Sequence, residues 1–474
     1  MKKIILYELN EVSLEFILRY VNTFKNSNFA KLAKKTNLIK TINRDKGHLS
    51  PWITWPTLHR GVNNDTHLIS DFNQNLGAIN EKYPTIMDIL IENGINVGVF
   101  GSLHSYPLPA DLKNYKFYVP DTFAENSKTH PEVYKHFQIL NISLTKINGK
   151  NVVKKINIKS AIKFMFFSMY LGLKLITVLK IFKQLILEFF YKHIIIRRRV
   201  IQSEISFDLF YKLLCATKPM FVTYFTNHVA SSMHRYWPAT FPDDYSHFKM
   251  DSDWIKKYKN EIWNSMHIAD EQIGKLLEFI AFNNEYSLII ASSMGQRPVQ
   301  ESTIMKNMLK IINVKKFFDF FEIDEFSYEQ KSAMMPQYIF TFNNKYVMDE
   351  FVTKLSNLYI NNMPIDCKIL EDYTIRIHLL YPNQTEGNCI SNYDGSYISL
   401  SEFGVDIVDI QDQTGTYAYH IPEGFLCIHN YCSEDPADLI SEELTIDTID
   451  VAPSILANFG VKVPLYMSKN KFEI

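Results

Sequence analysis

Short apolar runs separated by amphipathic stretches recur along the chain. Residues 3–9 (KIILYEL) read as a buried strand, and so do INVGVFGS (95–102), KPMFVTYFTNH (218–228), EYSLIIASS (285–293) and GFLCIHN (424–430). Helical periodicity lies between them, over 11–35, 84–93, 253–281 and 445–460, with Gly94 and Gly460 closing two of these stretches. Strand and helix thus alternate at both ends of the chain. That rhythm predicts an α/β fold, a doubly wound, mostly parallel sheet with helices on both faces. Sites in such sheets lie at the carboxyl ends of the strands. The polar residues found there are Asn10, Asn227, His228 and Ser293.

The middle of the chain breaks the rhythm. Residues 160–199 are strongly apolar, yet Lys163, Lys174, Lys180, Lys183, Glu188 and Lys192 interrupt the run. No uninterrupted stretch approaches the roughly 20 residues that span a bilayer. The pattern suits either a helix lying in a membrane interface, with Arg197, Arg198 and Arg199 drawn to anionic headgroups, or a helical cap on the core. Residues 300–415 mix helices and short strands. The expected organisation is a core in three parts (1–125, 213–299 and 415–474). A helical cap (126–212) and an α+β insertion (300–414) interrupt it.

Composition narrows the class. The chain has 474 residues, 46% hydrophobic and 21% charged, enough for a sizeable core. A formal net charge of −1 argues against a nucleic-acid partner. The five cysteines, at 215, 367, 389, 427 and 432, form neither a disulfide framework nor a zinc knuckle. MKKIILYELNEVSLEF has too short an apolar core for a signal peptide and reads as a first strand. The expected location is the cytoplasm, with the 160–199 run bringing the protein to the inner membrane face if that run meets lipid.

Seven segments in order give the chain a family likeness: KIILYELNEV (3–12), SPWITWPTLHRGVNNDTHLIS (50–70), VTYFTNHVASSMHRYWP (222–238), HIADEQIGKLL (267–277), SLIIASSMG (287–295), YAYHIPEGFLCI (417–428) and TIDTIDVAPSILANFGVKVP (445–464). Together they resemble the alkaline phosphatase superfamily, especially its nucleotide pyrophosphatase/phosphodiesterase and phosphoglycerate mutase-like branches. The likeness covers roughly 1–105, 215–298 and 415–465. Asn10 and Glu11 stand where the family's first strand ends in Asp-Gly. Thr54 falls on the nucleophile, at the expected opening of a helix, where free N–H groups favour a phosphate; a threonine at such a place is also a common structural cap. His234 and His420 fall on metal-binding histidines, and Ser293-Met294 replaces an Asp-His pair.

Family members hold two divalent ions. An amide, a hydroxyl and a thioether at Asn10, Ser293 and Met294 cannot replace carboxylate and imidazole, so the ion beside Thr54 is expected to be absent. His228, His234 and His420 could supply three nitrogens to one zinc or manganese ion. The residues leave open a metal-free pocket, with Thr54, His228 and His234 as the catalytic groups, and purely structural histidines. Asn10, Glu11, Thr57, Asn227, Arg235, Ser293 and Arg297 are the expected substrate-binding groups, the two arginines as phosphate clamps. Similar sequences occur among genes for bacterial surface polysaccharides. The resemblance therefore implies a transferase or phosphoesterase acting on a phosphorylated sugar, nucleotide-sugar or lipid-linked glycan, with at most one metal. A non-catalytic phosphoglycan- or protein-binding member and an ordinary phosphodiesterase or phosphatase are the alternatives.

Overall fold

A computed structural model describes residues 1–72, 74–147, 167–246, 250–331, 333, 336–360, 363–370, 373–379, 381–385, 389–392, 397–430, 445–468 and 472–474. Lys163 and the start of the 160–199 run lie outside the described residues.

The core is an eight-stranded sheet. Its spatial order is Thr445–Asp447, Leu38–Ile42, Glu423–Asn430, Tyr286–Ala291, Lys3–Leu9, Phe221–Thr226, Val97–Phe100 and Tyr115–Val119. Every neighbouring pair is parallel except those made by Glu423–Asn430, which runs antiparallel to both its neighbours. The central strand Lys3–Leu9 shows why both faces are covered. Successive side chains point to opposite faces. Ile5, Tyr7 and Leu9 enter one apolar cluster with the helices Arg198–Thr217 and Glu261–Phe282, while Ile4 and Leu6 enter another with Pro51–Arg60 and Val451–Asn458. A third core, from Leu309 to Val405, is built on two small four-stranded sheets and the strand pair Asn307–Ile311 with Val405–Asp409.

Several expected elements differ in extent. The 11–35 stretch is two helices, Leu14–Thr23 and Asn28–Ala33, each started by a serine side chain, Ser13 and Ser27. The 253–281 stretch is likewise two, Ser252–Tyr258 and Glu261–Phe282. The 445–460 segment opens as the edge strand Thr445–Asp447 and becomes a helix only at Val451–Asn458. The helix carrying Thr54 begins at Pro51, with Ser50 as its cap. Thr54 therefore does not open the helix. Its own N–H donates to the Ser50 carbonyl at 2.9 Å, so it offers no free amide to a phosphate.

The arginines at 197–199 also differ from expectation. Arg197 grips Glu261 with two nitrogens, Arg198 grips Glu188, and Arg199 meets Asp412 at 3.2 Å. These charges are used inside the protein. Among the described residues, no helix is long and apolar enough to cross a membrane.

Candidate metal centre

The carboxyl ends of the strands bring three groups together. Glu11 follows the Lys3–Leu9 strand, His234 lies on the helix His228–Thr240, and His420 lies on the strand Ala418–Ile421. One ligand atom from each falls within 4.8 Å of the other two. The Nε2 atoms of His234 and His420 stand 2.8 and 3.2 Å from Glu11 Oε2.

Glu11 occupies an unusual backbone position. Its φ is 57°, in the left-handed region that favours glycine. Holding a glutamate there costs about 1–2 kcal/mol, and backbone strain of this kind clusters at functional sites. From this turn the carboxylate projects toward two imidazoles. Asn10 Nδ2 donates to Glu11 Oε1 at 2.9 Å, and Gln296 Nε2 donates to Oε2 at 2.5 Å. Burial would raise the Glu11 carboxyl; His420 and His234 outweigh it and hold the group well below the usual range. Burial lowers His420, and Glu11 reverses this and raises it.

The other ring nitrogens decide the tautomers. His234 Nδ1 faces the Ala418 carbonyl at 2.5 Å, and His420 Nδ1 faces the Leu49 carbonyl at 2.7 Å. A carbonyl can only accept, so each Nδ1 carries a proton and each Nε2 points at the carboxylate. Two such nitrogens and one carboxylate are a ligand set for an open divalent site. Nδ1–carbonyl bonds are the usual outer support of metal-bound histidines. The residues present therefore fit one divalent ion. Tyr419 stacks on His420 with centroids 4.2 Å apart, and its hydroxyl lies 3.2 Å from His48 Nε2 at the exposed side of the cluster.

His228 does not join the cluster, contrary to its expected role as a ligand. Its Nε2 donates to the Ser265 carbonyl at 3.0 Å, so Nδ1 accepts from the Thr226 hydroxyl at 2.6 Å. No lone pair remains for a metal. Burial pushes its pKa down to about 4, with the Ser265 bond opposing, so the ring is neutral at pH 7.

Beside this cluster lie neutral groups in short hydrogen bonds. Thr54 Oγ1 pairs with Ser293 Oγ at 2.8 Å, and both residues are fully buried, as is Met294. Asn10 accepts from Trp55 Nε1 at 2.8 Å and donates to Asn227 Oδ1 at 2.7 Å. Thr57 is tied elsewhere. His67 Nδ1 accepts from the Ile69 amide, so His67 Nε2 donates to Thr57, which donates to Asp45 at 2.7 Å. Arg235 reaches back along its own helix to the carbonyl and hydroxyl of Ser231 at 2.8 and 2.7 Å. Arg297 is exposed on the strand Gly295–Pro298.

Gln296 touches Glu11, and sequence reasoning missed it. The strand Gly295–Pro298 pairs antiparallel with Ala418–Ile421 and sets Gln296 opposite His420. Gly295 permits this approach, since a Cβ there would lie 2.3 Å from the Glu423 carbonyl. Nothing in the local pattern of SSMGQRP marks Gln296, because its partners come from far along the chain.

No protein-family model matches the chain, and no curated protein matches it. Among solved structures it is similar to murine ectonucleotide pyrophosphatase/phosphodiesterase 5, at 10% identity over 98% of this chain and 96% of that one, with a TM-score of 0.40. It is similar to phosphonoacetate hydrolase from Sinorhizobium meliloti 1021 at 11% identity, 95% and 94% coverage and a TM-score of 0.40. A variant of the alkaline phosphatase PafA aligns at 12% identity, 99% and 98% coverage and a TM-score of 0.45. Likeness at this level carries no argument about chemistry, and the α/β architecture rests on the chain's own mostly parallel eight-stranded sheet with helices on both faces.

Proposed function

We propose that the protein is a phosphoester-directed enzyme, a transferase or phosphoesterase, that uses one divalent ion held by Glu11, His234 and His420. The observation that carries this reading is the convergence of two Nδ1-pinned imidazoles on one carboxylate oxygen at the strand ends. An ion bound there, zinc or manganese, would supply a Lewis acid to a phosphoryl oxygen. The chain's own part is orientation. Gln296 and Asn10 fix the two carboxylate oxygens, and the Ala418 and Leu49 carbonyls fix the rings. Tyr419 and His48 flank the solvent side, where an incoming phosphoester would meet them. Sugar phosphates, nucleotide-sugars and lipid-linked glycans of bacterial surface-polysaccharide assembly are the substrate classes we assign on the sequence resemblance.

The test is elemental analysis of purified protein, wild type beside Glu11→Gln, His234→Ala, His420→Ala and His228→Ala. One zinc or manganese per chain, lost in the first three variants and kept in the fourth, is the expected result. Metal-dependent turnover of a nitrophenyl phosphomonoester, a phosphodiester or a nucleotide-sugar then assigns the reaction. Wild-type protein without stoichiometric metal after incubation with zinc or manganese would overturn the reading. The remaining function would then be metal-free binding by the ion-paired Glu11–His420 cluster.

A further inference from the structure

One face of the helix Leu175–Phe190 has no partner among the described residues. Leu175, Ile176, Leu179, Phe182, Leu185, Ile186, Phe189 and Phe190 are all exposed, Phe189 by 81%. At 3.6 residues per turn they occupy about half of the helix circumference. The opposite side is anchored. Thr177 bonds Asp208, Gln184 donates to the Ile194 carbonyl, and Lys180 pairs with Glu204 and Glu271. The stripe is therefore a built feature of a docked helix. The preceding Met169 and Tyr170 and the following Tyr191 are exposed as well. Single exposed apolar residues are ordinary on a protein surface; a contiguous patch of this kind marks an interface.

Charge selects the occupant. The acidic group on this helix, Glu188, is neutralised by Arg198 and faces inward. Lys183 and Lys192 border the apolar face, exposed and with no acidic partner among the described residues. An apolar face rimmed by unpaired lysines and lacking free carboxylates is complementary to an anionic bilayer surface. The helix has 16 residues, so it would lie in the interface and not span it.

We infer that the helix Leu175–Phe190 docks the protein onto anionic membrane surfaces through this stripe. The inference is independent of the metal site, because no ligand of that site lies on the helix. The lysines set the initial attraction, and insertion of the phenylalanines and isoleucines sets residence.

The experiment is flotation of full-length protein with phosphatidylcholine vesicles, with and without phosphatidylglycerol. Wild type is expected to float with the anionic vesicles and to be released as salt rises. The double variant Ile186→Asp, Phe189→Asp should bind at least about tenfold less, and Lys183→Glu about fivefold less or weaker. Phe326→Asp, at a site 83% exposed in another part of the molecule, should bind as wild type does. Both helix variants should melt at the wild-type temperature. Failure of wild type to float with anionic vesicles overturns the proposal, as does undiminished flotation of the double variant. A wild-type dimer that the double variant makes monomeric, without vesicle binding, assigns the face to a second copy. A lowered melting temperature in the double variant shows that the chain itself covers the stripe.

Discussion

Two clusters lie side by side at the carboxyl ends of the central strands, and they have opposite chemistry. In one, Glu11 faces His234 and His420, a charged group held by nitrogens that retain lone pairs or protons for it. In the other, Thr54 pairs with Ser293, and Asn10 accepts from Trp55 and donates to Asn227 and to Glu11, which joins the two clusters. Solvent follows the same division. The His234 side chain is 23% exposed, whereas Thr54 and Ser293 are fully buried. Neutral groups whose bonds are made within the protein need no ion to be satisfied. The charged cluster concentrates three titratable groups at a point that solvent reaches, as a site for an ion or a substrate requires.

The largest effect should come from removing the charge that distinguishes the first cluster. Glu11→Gln keeps the shape of the side chain but removes the anion, and its NH2 faces one of the two donors, Asn10 Nδ2 or Gln296 Nε2. Zinc or manganese affinity measured by titration calorimetry should fall by more than about a hundredfold. Unchanged affinity would move the ligand set elsewhere.

The converse change imposes charge on the neutral cluster. Asn10→Asp combined with Ser293→Asp buries two carboxylates among groups that now satisfy one another. The melting transition without metal should lose about 3–5 kcal/mol. Zinc or manganese should restore part of this if the cavity still accepts a second ion. Loss without any metal-dependent recovery would show that no ion fits between the two carboxylates.

His228 sharpens the comparison between a histidine that is free to ligate and one that is not. Its folded pKa, about 4, lies below its ordinary value of 6.5. Its contribution to stability is therefore complete above about pH 6.5 and lost as the pH falls toward 4, over a range worth roughly 3 kcal/mol. His228→Gln should flatten that acid limb in a series of melts at decreasing pH, with metal content unaltered. An acid limb as steep as wild type would place the titration elsewhere.

The smallest effect should follow Thr54→Val. It leaves Ser293 Oγ without its partner and should cost about 1–3 kcal/mol in denaturant unfolding, without changing metal stoichiometry. Any residual turnover that survives in this variant excludes Thr54 as the nucleophile. Selective loss of turnover with metal retained would assign it that role.

Much of this was legible along the chain. The apolar runs at 3–9, 218–228 and 285–293 are strands because their side chains are buried on both faces of one sheet. That Asn10, Ser293 and Met294 are neutral groups needed only residue identities. The convergence of His234 and His420 was indicated by their places in ordered motifs. Other features depended on direction in space. His228 looked as good a ligand as His234, and only the neighbouring Thr226 hydroxyl and Ser265 carbonyl show both its nitrogens engaged. Glu11 stood in the expected substrate-binding group, but its part as the carboxylate between two imidazoles follows from a left-handed backbone turn that no periodicity encodes. Gln296 meets Glu11 because a strand register sets it opposite His420. Local apolar pattern determined the elements, because burial acts on each segment separately. The meeting of Glu11 with His234 and His420 and the pairing of Thr54 with Ser293 were decided by tertiary structure, because hydrogen bonds and ligand geometry depend on which distant residues the fold brings within about 3 Å.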